Sequence, residues 1–408
     1  MQADSLLLED LPVHRRRLRV SMVTETFPPE INGVAMTIGR MVAGLQAREH
    51  QIQLIRPRQG REAVPPDQDN LEHVLRPGIP IPRYAGLNMG LPAKRQLFKL
   101  WQVRKPDLVH IATEGPLGWS ALAAARKLRI PVVSGFHTNF HSYTTHYGLG
   151  WLKKPVHAYL RKFHNQTQVT LVPTRQLQQE LTDAGYQNVR VLSRGVDHQL
   201  FKPERRSDEL RRLWGVTGQE LAVTYVGRIA PEKNLQLLIR AFEAMEQVRP
   251  DSRLILVGDG PALAALKASH PRFIFRGSRS GEDLATHYAS ADAFLFPSTT
   301  ETFGNSLTEA MASGLATVSY DYAAAAEHVI HGRNGLKADL HDDAGFIQAA
   351  CRLAGDPGLL ASLGPQARTT AMSLSWEQIH NDLEALYLSL IMEREAAQAA
   401  TVRMLGFS

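Results

Sequence analysis

The sequence predicts an α/β protein of two doubly wound domains that face each other across a cleft, closed by a C-terminal helical segment. Three observations predict it. Short apolar runs alternate with longer stretches of helical spacing along nearly the whole chain, the pattern of parallel βαβ units. The 408 residues exceed what one ordinary core holds and suit two. The alternation also starts afresh after a polar, proline-containing stretch at 198–208.

The first series opens with LRVSMVTE (18–25), read as a buried strand. The loop FPPEING follows, then apolar residues at Val34, Ile38, Met41, Val42 and Leu45. That three-and-four spacing is the stripe of a helix packed on a sheet. Further strands are read at DLVHIAT, PVVSGFH, VTLVPT and VRVLSRG. The second series has strands at LAVTYVGR (221–228), RLILVGDG (253–260), FIFRG (273–277), AFLFPS (293–298) and ATVSYD (316–321). Helices such as NLQLLIRAFEAMEQV and NSLTEAMASG lie between them. The expected division is an N-terminal extension at 1–17, a first domain at 18–198, a second at 199–375 and a closing helix at 376–408 that packs back on the first domain.

Composition narrows the classes. A hydrophobic fraction of 44% with 21% charged residues is that of a globular chain, not a disordered one. The single cysteine, Cys351, excludes intrachain disulfides and cysteine-rich zinc sites and fits a reducing compartment. The N-terminal segment carries Asp4, Glu9 and Asp10 around a short leucine run and does not read as a signal peptide. No window approaches the roughly 18 apolar residues of a membrane-spanning helix. A cytoplasmic location is expected, peripheral on the inner face of the cytoplasmic membrane if the basic half docks there.

Charge is distributed unevenly. Residues 1–200 carry a balance of +11 and the remainder −5. From Glu114 to Glu180 there is no intervening acid, while Arg126, Lys127, Arg129, Lys153, Lys154, Arg161, Lys162 and Arg175 fall in that span. Such a domain is drawn to a polyanion, or simply presents a solvated basic face. The stretch from Tyr147 to Phe163 mixes aromatics with cations and suits an anionic membrane surface. Leu152, Val156, Tyr159, Leu160 and Phe163 equally form a helical stripe that suits a core.

Ligands of doubly wound sheets bind beyond the carboxyl ends of the strands, and three loops there carry chemistry. Gly33 sits where the first strand gives way to a helix, so a phosphate can approach backbone N–H groups. Arg228 and Lys233, in GRIAPEKN, place two cations after a strand, as a departing diphosphate requires when no metal neutralises it. Glu301 lies in the loop after AFLFPS and Glu309 on the helix starting near Asn305, with Gly304 between them keeping the backbone open to an anion or to hydroxyls. His137 and His141 are four apart but follow a strand, with no Glu completing a zinc motif. His146, His328 and His331 are similarly unsupported, and no metal is expected.

The ordered set FPPEINGVA, GFHTN, GRIAPEKN, GDGP, FRG and ETFGNSLTE resembles the retaining glycosyltransferase family usually numbered four (group 1), over about residues 18–385. Within it, the stretch HTNF…YGLG…LRKFHN looks most similar to GDP-mannose-dependent α-mannosyltransferases and sulfoquinovosyl-diacylglycerol synthase-like enzymes. The resemblance implies the GT-B fold of two Rossmann-like domains and transfer of a hexose from a nucleoside diphosphate sugar to a lipid or glycan acceptor. It implies retention of configuration, no metal and no cofactor. It assigns His137, Arg228, Lys233 and Glu301 to catalysis: His137 near the reacting centre, Arg228 and Lys233 on the diphosphate, Glu301 on the hexose. Donor binding also falls to Gly33, Arg276, Gly277, Phe303, Gly304, Asn305, Leu307 and Glu309, with Glu309 on the ribose and Arg276 and Gly277 by the base. Two segments depart from the family pattern. GLATV (314–318) lacks a usual proline, and DYAAAAE (321–327) replaces a glycine-rich turn. A UDP-sugar-dependent glycolipid synthase is the alternative reading. A nucleotide-sugar epimerase and a non-catalytic binding protein stand behind it. No nucleic-acid partner is expected, for want of any recognition signature.

Overall fold

The computed structural model describes residues 16–30, 32–59, 66, 69–80, 88–137, 153–218 and 220–404. Among them, two parallel sheets form. The first has seven strands: β1 (Arg19–Val23), β2 (Gln51–Pro57), β3 (Leu71–Arg76), β6 (Leu108–Ile111), β7 (Val132–Gly135), β8 (Val169–Val172) and β9 (Val189–Val191). Their spatial order is β3-β2-β1-β6-β7-β8-β9. A short antiparallel pair, β4 (Gly78–Pro80) with β5 (Asn88–Gly90), branches from it. The second sheet holds β10 (Ala222–Val226), β11 (Arg253–Val257), β12 (Ile274–Gly277), β13 (Ala293–Phe296), β14 (Ala316–Tyr320) and β15 (Leu336–Ala338), in the order β12-β11-β10-β13-β14-β15. The order therefore reverses beside β1 in one sheet and beside β10 in the other. These are the crevices where doubly wound sheets take ligands.

Apolar runs of four or five residues make these strands because both faces are covered by helices. On the first sheet, α1 (Gly33–Ala47) buries Ile38, Met41, Val42 and Leu45 against Val20, Met22 and Leu54. The opposite face takes α2 (Lys94–Val103) and α3 (Pro116–Lys127), with Leu97, Trp101, Leu117 and Ala121 in its core. The helix α4 (Lys153–His164) divides its apolar stripe: Leu160 and Phe163 are buried, Tyr159 is exposed. The helices α5 (Arg175–Asp183) and α6 (Asp208–Leu213) precede the second sheet in the chain, and the shorter α8 (Leu263–Ser269), α9 (Gly281–Ala289) and α11 (Ala324–His328) lie between its strands. On this sheet, α7 (Leu235–Val248) and α12 (Asp343–Gly355) cover one face. The helices α10 (Asn305–Ala312) and α13 (Pro357–Met372) cover the other.

The last helix, α14 (Trp376–Met404), returns to the first sheet. Ile379, Leu383, Tyr387 and Ile391, four apart, lie in the same core as Val20, Met22 and Ile38. Glu384 adds a polar anchor: its carboxylate lies 3.4 Å from Arg48 Nε and 3.3 Å from His50 Nε2. His50 Nδ1 accepts from the Leu18 amide at 3.1 Å, so the ring proton is on Nε2 and faces Glu384. The chain thus crosses between the sheets twice, near 195 and near 375, and the crossings touch. The Val196 amide donates to the Leu374 carbonyl at 2.8 Å. A Cβ on Gly195 would meet the Trp376 backbone nitrogen at 2.6 Å, so only glycine allows this approach. Among the described residues no helix is long and apolar enough to cross a membrane.

Candidate active site

The site grows from the crevice of the second sheet, between β10 and β13. After β10, Gly227 and Ile229 donate to the carbonyls of Val257 and Asp259, pinning the Arg228 loop to the end of β11. A single 3₁₀ turn, Pro231–Lys233, precedes α7. After β13, Thr300 Oγ1 donates to the Glu232 carbonyl at 3.0 Å, and Asn234 Nδ2 to the Pro297 carbonyl at 3.2 Å. The two loops are therefore one unit. Arg228 Nη1 lies 3.1 Å from the fully buried carboxylate of Glu232, and Lys233 Nζ lies 2.5 Å from Glu301 Oε1. Burial pushes the Glu301 carboxyl up, but Lys233, with the nearby Ser298 hydroxyl and the charge of Arg194, outweighs it and leaves the group below its ordinary range.

Gly304 adopts φ +96°, and a Cβ there would meet Phe296 at 2.9 Å. This turn delivers the chain into α10 and lays Phe303 in the core beneath the cleft. Leu307 is fully buried in the same cluster. Glu309 stands one turn into α10, where the Tyr288 hydroxyl donates to its Oε2 at 2.9 Å. Its carboxyl is pushed up to about 7, chiefly by burial, with the Tyr288 bond and Arg40 of α1 opposing.

The first sheet supplies the facing wall. Gly33 opens α1 opposite Asn305, with Asn305 Nδ2 4.0 Å from the place a Gly33 Cβ would take. The expectation of bare amides at this helix start needs correction: Asn32 Oδ1 accepts from Val34 N and Ala35 N, at 3.1 and 2.8 Å. His137 follows β7, and its carbonyl accepts from Thr302 Oγ1 at 3.2 Å. Burial first, then Arg194, His110 and His164, hold the His137 imidazole well below its ordinary range, so it is neutral.

Arg194 was not legible as a site residue. It follows β9, the edge strand, yet reaches the cleft and donates to Asn305 Oδ1 at 3.3 Å and His137 Nδ1 at 3.4 Å. Its guanidinium also lies 5.7 Å from the centroid of the Phe303 ring. The departing segment DYAAAAE also serves the site. Tyr322 donates its hydroxyl to the Glu301 carbonyl at 2.7 Å, and the Ala324 amide donates to the Phe303 carbonyl at 2.8 Å. The same segment ties the two halves, since Glu327 Oε1 accepts the Arg175 amide at 2.6 Å and Gln176 Oε1 the Ala323 amide at 3.3 Å.

Arg276 and Gly277 stand apart from this group, at the end of edge strand β12. Arg276 Nε bonds His287 Nε2 at 3.3 Å, and the Gly277 carbonyl accepts the Gly258 amide at 2.9 Å. Residues 138–152, which hold most of the stretch HTNF…YGLG with His141, His146 and Leu152, lie outside the described residues. Among the described residues no group of three His, Cys, Asp or Glu side chains is arranged to hold a metal ion.

Comparison with known proteins places this geometry. Residues 31–200 match the model of Glycosyltransferase Family 4, and residues 220–356 that of Glycosyl transferases group 1. A GDP-mannose-dependent alpha-mannosyltransferase of Corynebacterium glutamicum is 32% identical over 92% of this chain and 90% of its own length. The sulfoquinovosyl transferase of Arabidopsis thaliana is 33% identical over 63% of this chain and 51% of its own. Among solved structures, sucrose-phosphate synthase from Thermosynechococcus elongatus superposes with a TM-score of 0.75 at 19% identity, covering 92% of this chain and all of that one. The two crevices facing each other are those of the GT-B fold, and the chain belongs to the group 1, family 4 glycosyltransferases.

Proposed function

We infer that this glycosyltransferase moves a hexose, mannose from GDP-mannose in the first instance, to a lipid or glycan acceptor, with retention of configuration and without metal or cofactor. One observation carries the reading. Lys233, Glu301, Gly304 and Glu309 converge on the crevice beside β10, with Gly33 and His137 facing them from the other sheet. Residues 199–375 hold the donor and residues 18–198 shape the acceptor site. Glu309 accepts the ribose hydroxyls. Glu301 and the amides from Phe303 to Asn305 take the hexose, Arg228 and Lys233 the diphosphate, and the Arg276–Gly277 edge the base, while Leu307 holds the helix beneath them.

The C1–phosphate bond breaks as the acceptor oxygen bonds to C1 on the same face, and the acceptor proton passes to the departing phosphate oxygen. Positive charge grows on the sugar and negative charge on the phosphate, where Lys233, Arg228 and the start of α10 act. Glu301 is engaged by Lys233 and is a sugar ligand, not a nucleophile. The mannosyltransferase relative supports GDP-mannose. The sulfoquinovosyl relative favours a second reading, a UDP-sugar-dependent glycolipid synthase. Exposed Arg126 and Lys127 on α3 and Arg129 just after it, with Lys154, Arg161 and Lys162 on α4, support peripheral docking on an anionic inner membrane face.

Nucleotide release from GDP-mannose, UDP-glucose and UDP-glucuronate, with lipid acceptors and with EDTA, tests the reading. GDP release with EDTA-insensitive turnover and an α-linked product by NMR is expected. An inverted product or dependence on added metal overturns the mechanism, and release from UDP-sugars alone moves the donor to the second reading.

A further inference from the structure

We propose that Arg194 is a donor-binding residue, the cation by which the first half of the molecule grips an anionic oxygen group of the nucleotide sugar beside His137 and Asn305. The inference rests on the nucleotide-sugar reading above and adds a contact from the opposite wall of the cleft.

Arg194 is 5% exposed, and none of its partners is charged. Asn305 Oδ1 and His137 Nδ1 accept from it at long distances, and Phe303 lies under its plane. Glu301 acts on it only through space, and burial holds the guanidinium down to about 10. No carboxylate lies within ion-pair distance of it among the described residues. A guanidinium taken out of water is costly unless an anion answers it. The other two cations differ. Arg228 is matched by Glu232 and Lys233 by Glu301, so each pair is neutral before an anionic donor arrives. Arg194 is the unmatched positive charge of this seam.

His137 supplies the second observation. A guanidinium only donates, so Nδ1 of His137 must hold the lone pair facing Arg194, and the ring proton is on Nε2. That Nε2–H is buried without a partner on a side chain only 8% exposed. As a neutral acceptor His137 leaves the charge of the guanidinium unanswered, and its Nε2–H lies on the far side of the ring, where a Gly135 Cβ would meet it at 2.2 Å; what the guanidinium lacks is an oxygen-rich anion. The place suits it. Asn305 begins α10, whose first amides carry no side-chain cap, and faces Gly33 across the cleft. The oxygens belong either to the terminal phosphate of the nucleotide or to an acidic group on the hexose, and both are recognised by the same fork of N–H donors.

Full-length Arg194→Gln, Arg194→Met and Arg194→Lys test this by calorimetric titration with guanosine, GDP, UDP, UDP-glucose and UDP-glucuronate. Methionine keeps an apolar stem on Phe303 where glutamine is not accommodated, and thermal melting confirms folding. Loss of roughly tenfold or more in GDP or UDP affinity, with guanosine binding unchanged and partial rescue by lysine, is the expected result and assigns the phosphate. Unchanged GDP and UDP affinity with a selective loss of UDP-glucuronate against UDP-glucose assigns an acidic sugar instead. Wild-type affinity for every ligand in the folded variants, or an equal loss for guanosine, overturns the role of Arg194. A wild-type protein that binds no nucleoside diphosphate overturns the underlying reading as well.

Discussion

Glu309 holds its proton more tightly folded than unfolded, so it costs stability as pH rises from the ordinary carboxyl range through about 7, and the cost is complete above that. On the proposed role of Glu309, ribose hydroxyls bond the carboxylate more strongly than the acid, which reverses the preference. GDP binding at pH 7 should therefore expel about half a proton, with affinity falling as pH drops toward 6. Calorimetry in buffers of different ionisation enthalpy reads that number, and Glu309→Gln should bring it to zero. A wild-type value near zero would remove Glu309 from the ribose. Ala323 makes a second case. It holds φ +52° within the segment that stands in place of the family's glycine-rich turn, a conformation costing of order 1–3 kcal/mol for a residue with a Cβ. Ala323→Gly should raise stability by about 1 kcal/mol in urea unfolding, the rest being lost to the freedom of glycine in the unfolded chain. A lower midpoint would mean that the methyl packs better than the backbone is strained. Glu301, Gly304 and Glu309 were legible because one loop and one helix turn carry all three. Arg194 was not, since an arginine after a three-residue edge strand reads as surface charge, and its burial is made by the other half of the chain.

Among elements, the interior strands other than β2 were readable because both their faces are buried and the runs are continuously apolar, whereas β2 carries Gln51, Gln53 and Arg56 among its seven residues and was not read. Two edge strands were not. β3 places Glu72, His73 and Arg76 among its six residues, and β15 is three residues long. Neither shows a period or a run, and pairing with a neighbour alone makes them strands. The helix α14 lies at the opposite extreme. Its existence and its return to the first domain are expected from the sequence, and what the fold adds is the seam itself, Ile379, Leu383, Tyr387 and Ile391 in one core with Val20 and Met22. Leu383 is fully buried against the first sheet, and Leu383→Ala should cost about 2–5 kcal/mol by chemical denaturation. A loss under about 1 kcal/mol would mean that the helix docks loosely.

For the molecule as a whole, charge is divided between a basic first half, +11 over the first 200 residues, and an acidic remainder at −5. Cosedimentation should occur with phosphatidylcholine vesicles containing phosphatidylglycerol and not with phosphatidylcholine alone. It should fade as salt rises from about 0.1 to about 0.5 M, as screening shortens. Binding that ignores both lipid charge and salt would place the contact on apolar groups instead. The paired crossings at Gly195 and Trp376 bear on a different event, the emergence of the chain from the ribosome. The second sheet lies in the chain between the last strand of the first sheet and α14, so its strands and helices are all synthesised before α14 completes the core around Val20 and Met22. The half made first is therefore finished last. During synthesis the early strands wait with one flank uncovered while the later half folds, and docking of α14 is the step that seals the protein shut.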